Sequence, residues 1–131
     1  MAYREGDILF DATVPGAGRA QLADFSAGTE DPNPIHTDET FAKAAGFPTV
    51  LQQGPMTTAH FARLLAEKVG QGRLRWLDVT FTAPVFPEED LRIEAVVTSA
   101  DGGQAGAVTC ALTAAKGDGT VTARAEAGFE A

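Results

Sequence analysis

The sequence predicts an α+β fold in which one curved antiparallel β-sheet wraps around a single long α-helix. Three observations predict it. Beyond residue 70 the chain is nearly all period-two strand pattern. Ahead of that stretch, residues 55–69 carry apolar side chains at helical spacing over several turns. No other segment is long enough to cover a sheet, and a sheet with one apolar face must bury it against something.

The elements follow in chain order. Ile8, Phe10, Ala12 and Val14 alternate with Leu9, Asp11 and Thr13, which reads as a strand. Pro15-Gly16-Ala17-Gly18 ends it. Residues 19–27 suit a short helix carrying Leu22 and Phe25. The stretch Gly28-Thr29-Glu30-Asp31-Pro32-Asn33-Pro34 is rich in turn formers, and its two prolines forbid regular helix and stiffen the loop. Thr37 or Asp38 can cap a short helix over 38–45, ended by Gly46. The long helix of 55–69 starts after Gly54, with Pro55 in its first turn, where a missing N–H costs little. Phe61, Ala62, Leu65 and Val69 share one face, and Gly70 and Gly72 stop the helix.

Four strands then follow, with Leu77 to Val85, Leu91 to Thr98, Val108 to Ala114 and Val121 to Phe129 each presenting one apolar face. Turn signals separate them at Phe86-Pro87-Glu88-Glu89, Asp101-Gly102-Gly103 and Lys116-Gly117-Asp118-Gly119. The expected arrangement is a four-strand antiparallel meander. A strand at the rim of such a sheet needs pairing or protection, so a homodimer through the sheet edge is expected.

At 131 residues the chain is one domain, 1–131, able to bury a core without staples. The formal charge of −8 repels polyanions, which argues against nucleic acid or an anionic membrane as partner. The lone Cys110 cannot form an internal disulfide, no leader opens the chain, and no apolar run approaches a membrane span. A cytoplasmic protein is expected. Two histidines and one cysteine, widely separated, make no metal-ligand set.

The informative segment is Thr29-Glu30-Asp31-Pro32-Asn33-Pro34-Ile35-His36, a carboxylate and an imidazole on one stiff loop. A neutral histidine accepts a proton near pH 7, and a neighbouring carboxylate orients it and helps hold a water. Residue types alone leave plainer roles open: Asp31 as a turn cap, Asn33 as a turn residue, His36 as the start of a helix, Gly54 as a simple turn into one.

The longer pattern narrows the choice. Residues 29–36, with Asp38, Phe41, Ala42, Gly46, Phe47 and Gly54, resemble the MaoC-like hydratase and dehydratase family of the hot-dog fold. Its recurring pattern is Ser-x-Asp-x-Asn-Pro-hydrophobic-His, a short helix, then His-Gly-Met before the long helix. Asp31, Asn33, Pro34, Ile35 and His36 match, and Thr29 stands for the serine. Gln53-Gly54-Pro55-Met56 departs from His-Gly-Met, because Gln53 replaces the histidine and cannot transfer a proton.

The resemblance implies an (R)-specific enoyl-CoA hydratase or the reverse dehydratase, with Asp31 and His36 holding one water. It also implies that Gly54 receives the thioester oxygen and that Asn33 and Gln53 help bind the substrate. No separate cofactor is implied, since CoA or phosphopantetheine arrives on the acyl-thioester substrate. The alternatives are a (3R)-hydroxyacyl dehydratase acting on carrier-protein substrates, a hot-dog subunit of a heteromeric hydratase, and a thioesterase. Arg63, Lys68, Arg73, Arg75 and Lys116 are candidates to meet either CoA phosphates or a carrier protein. Glu30 is expected to be solvated, His60 to be partly buried and Cys110 to fill core. Phe47, Met56 and Phe61 suit either packing or an acyl tunnel.

Overall fold

The computed structural model describes residues 2–104 and 106–131. Strand β1 (Ile8–Val14) leads into helix α1 (Arg19–Thr29), a 3₁₀ turn at Pro34–His36, and helices α2 (Glu39–Ala44) and α3 (Gly54–Val69). Strands β2 (Leu74–Phe81), β3 (Leu91–Gln104), β4 (Ala107–Ala115) and β5 (Val121–Phe129) complete the chain. They form one five-stranded sheet in the order β1-β3-β4-β5-β2, every neighbouring pair antiparallel.

The core lies where α3 meets the sheet. Phe61, Leu65 and Val69 of α3 are buried in one cluster with Ile93, Ala95, Val97, Cys110, Leu112, Ala114, Ala125, Ala127 and Phe129. Alanines on β3, β4 and β5 thin the sheet's inner face and let the helix approach. A second, smaller cluster of Ala17, Leu22, Ala42, Val50 and Met56 joins α1 and α2 to the start of α3. Fully burying side chains of this size is worth about 1.5–3 kcal/mol each against leaving them in water.

Three sequence expectations change. The last four strands are not a simple meander, because β2 pairs with β5 at the far edge, while only β3, β4 and β5 follow one another. The connection over 82–90 carries Pro84 and Pro87 and is far too long for a tight hairpin, so it crosses the open end of the sheet. For the same reason Ala83 and Val85 do not continue β2, which ends at Phe81.

At the start of β1, Leu9 is buried and Ile8 is 65% exposed. The register shifts between Ile8 and Phe10, and such a bulge turns one residue to the opposite face. A fork from Arg92 to both carboxylate oxygens of Asp11 (2.9 and 2.6 Å) pins the strand beyond the bulge and holds the Asp11 carboxyl below its ordinary pKa. Finally, Asp101-Gly102-Gly103 is not the β3–β4 turn. The strand runs to Gln104, which pairs with Ala107, and Gly106 supplies the positive φ (74°) that a tight turn needs.

The helix boundaries fall close to expectation. Helix α1 runs two residues further than expected, to Thr29. Helix α2 is capped by Asp38, whose side chain accepts from the Phe41 N–H. Helix α3 begins at Gly54, with Gln53 as its N-cap. Among the described residues no helix is long and apolar enough to cross a membrane, and no cluster of three metal-ligating side chains occurs.

Candidate active site

Asp31 is placed by the end of α1. Glu30 takes the left-handed conformation (φ 54°), its N–H donating to the Ala27 carbonyl, and the Asp31 N–H donates to the Ser26 carbonyl at 2.9 Å. These paired bonds reverse the chain at a helix C-terminus, a position glycine usually holds. The loop then locks itself. The Asn33 N–H donates to Asp31 Oδ1 (3.0 Å), and Asn33 Oδ1 accepts from the Ile35 N–H (3.2 Å) to cap the 3₁₀ turn. Asn33 therefore ties the loop to itself through its side chain and its backbone.

With Oδ1 occupied, Asp31 Oδ2 faces His36 Nε2 at 3.6 Å. The other ring nitrogen, Nδ1, lies 2.7 Å from the Leu51 carbonyl oxygen. That oxygen only accepts, so Nδ1 carries the proton, and in the neutral ring Nε2 presents a lone pair. A second bond from the Leu51 N–H to the Ile35 carbonyl holds this strip beside the loop. His36 is 8% exposed, and its imidazole is therefore fixed in both position and tautomer.

A cavity of about 360 Å³ opens beside His36. Its walls are largely apolar, from Phe47, Leu51, Phe81, Pro84 and Val85. Gly54 lies in the same wall, at the first position of α3. Its N–H has no acceptor among the described residues, as expected of a first-turn donor, and it carries the positive end of the helix dipole. A Cβ on Gly54 would lie 2.9 Å from the Phe81 ring, so only glycine leaves that amide open beneath the aromatic. His36 and the Gly54 amide line this cavity, whereas Asp31 and Asn33 lie outside its lining, Asp31 meeting it only through His36 Nε2 at 3.6 Å. An imidazole lone pair can accept a proton, and a free helix-terminal amide can meet negative charge on oxygen.

Gln53 also borders the cavity, but its side-chain amide points into the protein. Its Nε2 donates to the Leu22 carbonyl (2.7 Å) and to Ser26 Oγ (2.8 Å). His60 is half-buried in α3, away from the cavity wall, and burial with the Arg63 charge lowers its pKa. Cys110 is buried in the core, where burial pushes its thiol up to about 11. Phe47 lines the cavity, while Met56 belongs to the small cluster and Phe61 to the main core.

Four of the five basic candidates are engaged within the chain. Arg63 pairs with Glu67, Arg73 with the Ala131 carbonyl, Arg75 with Glu130, and Lys116 with Glu89. Sequence reasoning missed Gln52, Thr57 and Thr122, buried polar residues in the cavity wall, with Gln52 Nε2 donating to Thr57 Oγ1 at 3.0 Å. It also missed Ala83-Pro84-Val85 as cavity wall. Pro84 inside an apparent strand was the available signal.

This architecture, a five-stranded antiparallel sheet around one long helix, is that of the hot-dog fold. The chain belongs to the MaoC-like domain family, whose model matches residues 5–117. It is 32% identical to the (R)-specific enoyl-CoA hydratase of Aeromonas caviae over 84 residues, 63% of each protein. It is 33% identical over 105 residues to the fatty acid synthase beta subunit TOXC of Cochliobolus carbonum, covering 71% of this chain and 5% of that protein. The alignments thus span less than two thirds of either relative. The solved structure of the (R)-hydratase from A. caviae involved in PHA biosynthesis matches with a TM-score of 0.84 at 25% identity, over 99% of this chain and 98% of that one.

Proposed function

We propose that this chain adds water across the Cα=Cβ bond of a trans-2-enoyl thioester and catalyses the reverse dehydration, with enoyl-CoA to (R)-3-hydroxyacyl-CoA as the leading reaction. The observation that carries the reading is the His36 ring, anchored through Nδ1 on Leu51 so that Nε2 faces Asp31 beside the cavity. Two acceptors 3.6 Å apart suit a single water that donates one O–H to each.

In the proposed reaction the water oxygen bonds to Cβ as the pair withdraws one of its protons. The Cα=Cβ electrons move toward the thioester carbonyl, and the negative charge on its oxygen is met by the Gly54 N–H. A proton returned by the pair to Cα completes the addition, and dehydration retraces the path. The Aeromonas relative supports CoA as the carrier of the acyl group, and the fatty acid synthase relative supports a protein-bound thioester as the second reading.

Purified protein with crotonyl-CoA tests this directly, by loss of the enoyl thioester absorbance and chiral analysis of the product. Activity confined to carrier-bound substrate would select the second reading, and release of free CoA would point to hydrolysis instead.

A further inference from the structure

The geometry points to Gln53 as a positioning residue: its buried amide clasps α1 to the start of α3 and so fixes the distance between the Asp31 carboxylate and the Gly54 amide. Three observations meet at this one side chain. Gln53 is the N-cap of α3, so its backbone leads directly into Gly54. Its Nε2 spends both protons on α1, on the Leu22 carbonyl at 2.7 Å and Ser26 Oγ at 2.8 Å. The carbonyl of that same Ser26 accepts the Asp31 N–H at 2.9 Å. The path from the oxyanion-receiving amide to the carboxylate is therefore Gly54, Gln53, Ser26, Asp31, with a directional bond at each non-covalent step.

Packing alone does not set this distance. Leu22, Val50 and Met56 press α1 and α3 together, but apolar contact is non-directional and tolerates sliding. The amide cannot turn over, because the Leu22 carbonyl accepts only and must face Nε2. Gln53 is fully buried, and its Oε1 has no partner among the described residues. An orphan buried acceptor costs about 1–3 kcal/mol, a cost that an apolar side chain at this position would avoid. Retaining it fits a side chain kept for where it holds α1 rather than for stability.

The consequence for turnover rests on the hydratase reading; the clasp itself does not, and the test separates them. Gln53→Met keeps the shape and removes the donors, and Ser26→Ala removes only the Oγ end should Gln53→Met fail to fold. The first readout is hydrogen exchange at the Asp31 amide, which needs no substrate and is expected to accelerate in both variants. The second is kinetics on crotonyl-CoA. Gln53→Met is expected to lower kcat about 10- to 100-fold with KM within about threefold, as misplacement of reacting groups does. In an Asp31→Asn background the same change should alter the residual rate less than about threefold, since Gln53 acts through Asp31. Unchanged exchange at Asp31 overturns the clasp. Faster exchange with wild-type kcat, or an equal fold-loss with Asp31 already replaced, overturns the positioning role. A wild-type protein inert toward thioesters overturns the hydratase reading and leaves the exchange result to decide the clasp.

Discussion

Replacing Gly54 by alanine separates stability from catalysis, and the two magnitudes can be worked from the same contact. The new Cβ would lie 2.9, 3.0 and 3.2 Å from three atoms of the Phe81 ring, where carbon pairs prefer about 3.5–4.0 Å. The ring must retreat by roughly half an ångström or more. It can do so cheaply, because Phe81 is 51% exposed and a displaced rotamer costs about 0.5–1.5 kcal/mol. Against that, alanine is favoured over glycine within a helix by roughly 0.5–1 kcal/mol. Thermal unfolding should therefore place Gly54→Ala within about 1 kcal/mol of wild type. Catalysis has no such compensation. In the proposed reaction the thioester oxygen comes up to the Gly54 N–H beside the same Cα and beneath the same ring, so the new Cβ bars it from that donor. Losing one oxyanion donor raises a barrier by about 2.7–4 kcal/mol, a fall of about 10²–10³ in kcat. The assay is steady-state hydration of crotonyl-CoA beside a melting curve. A folded Gly54→Ala protein that keeps a third or more of wild-type kcat would refute the assignment of this amide.

Three further outcomes follow from the structure. Glu30→Gly relieves a left-handed residue that costs about 1–2 kcal/mol, partly offset by glycine's greater freedom when unfolded, so calorimetry should show a gain of about 0.5–1 kcal/mol with turnover little changed. His60 has its pKa lowered on folding, so between that lowered value and the unfolded value of about 6.5 the unfolded chain binds more protons, and stability drops as the pH is lowered through this window. His60→Gln should flatten that slope when urea midpoints at pH 7.5 and 5.5 are compared with wild type. Ile8 exposes large apolar surface on β1, an edge strand. The homodimer expected through the sheet edge predicts twice the chain mass by light scattering; a monomer at assay concentration would rule it out.

The fold was legible where the physics is local. Period-two alternation marked each strand, and Gly54-Pro55 with Phe61, Leu65 and Val69 marked the long helix and its buried face. What the chain did locally at Ile8 and at 82–90 depended on tertiary partners. A bulge is invisible in alternation alone, and the pairing of β2 with β5 follows from how the Pro84-Pro87 connection crosses the sheet. The loop of Asp31, Asn33 and His36 stood out as a site through its resemblance to the MaoC-like pattern, since residue types alone left turn and cap roles open. Gln53 was noticed as a departure from the family pattern, yet its contacts were not, because Leu22 and Ser26 lie far from it in sequence. The same holds for Gln52 and Thr57, whose burial in the cavity wall depends on the crossing strip.

The most direct measurement compares kcat on crotonyl-CoA for wild type, Asp31→Asn and His36→Ala, each verified as folded by circular dichroism. The account predicts hydration by the wild type and a loss of about 10²–10⁴-fold in each variant, the range typical of removing a general acid or base. Wild-type rates in either folded variant would contradict it, as would a native protein that hydrates neither CoA-bound nor carrier-bound enoyl groups.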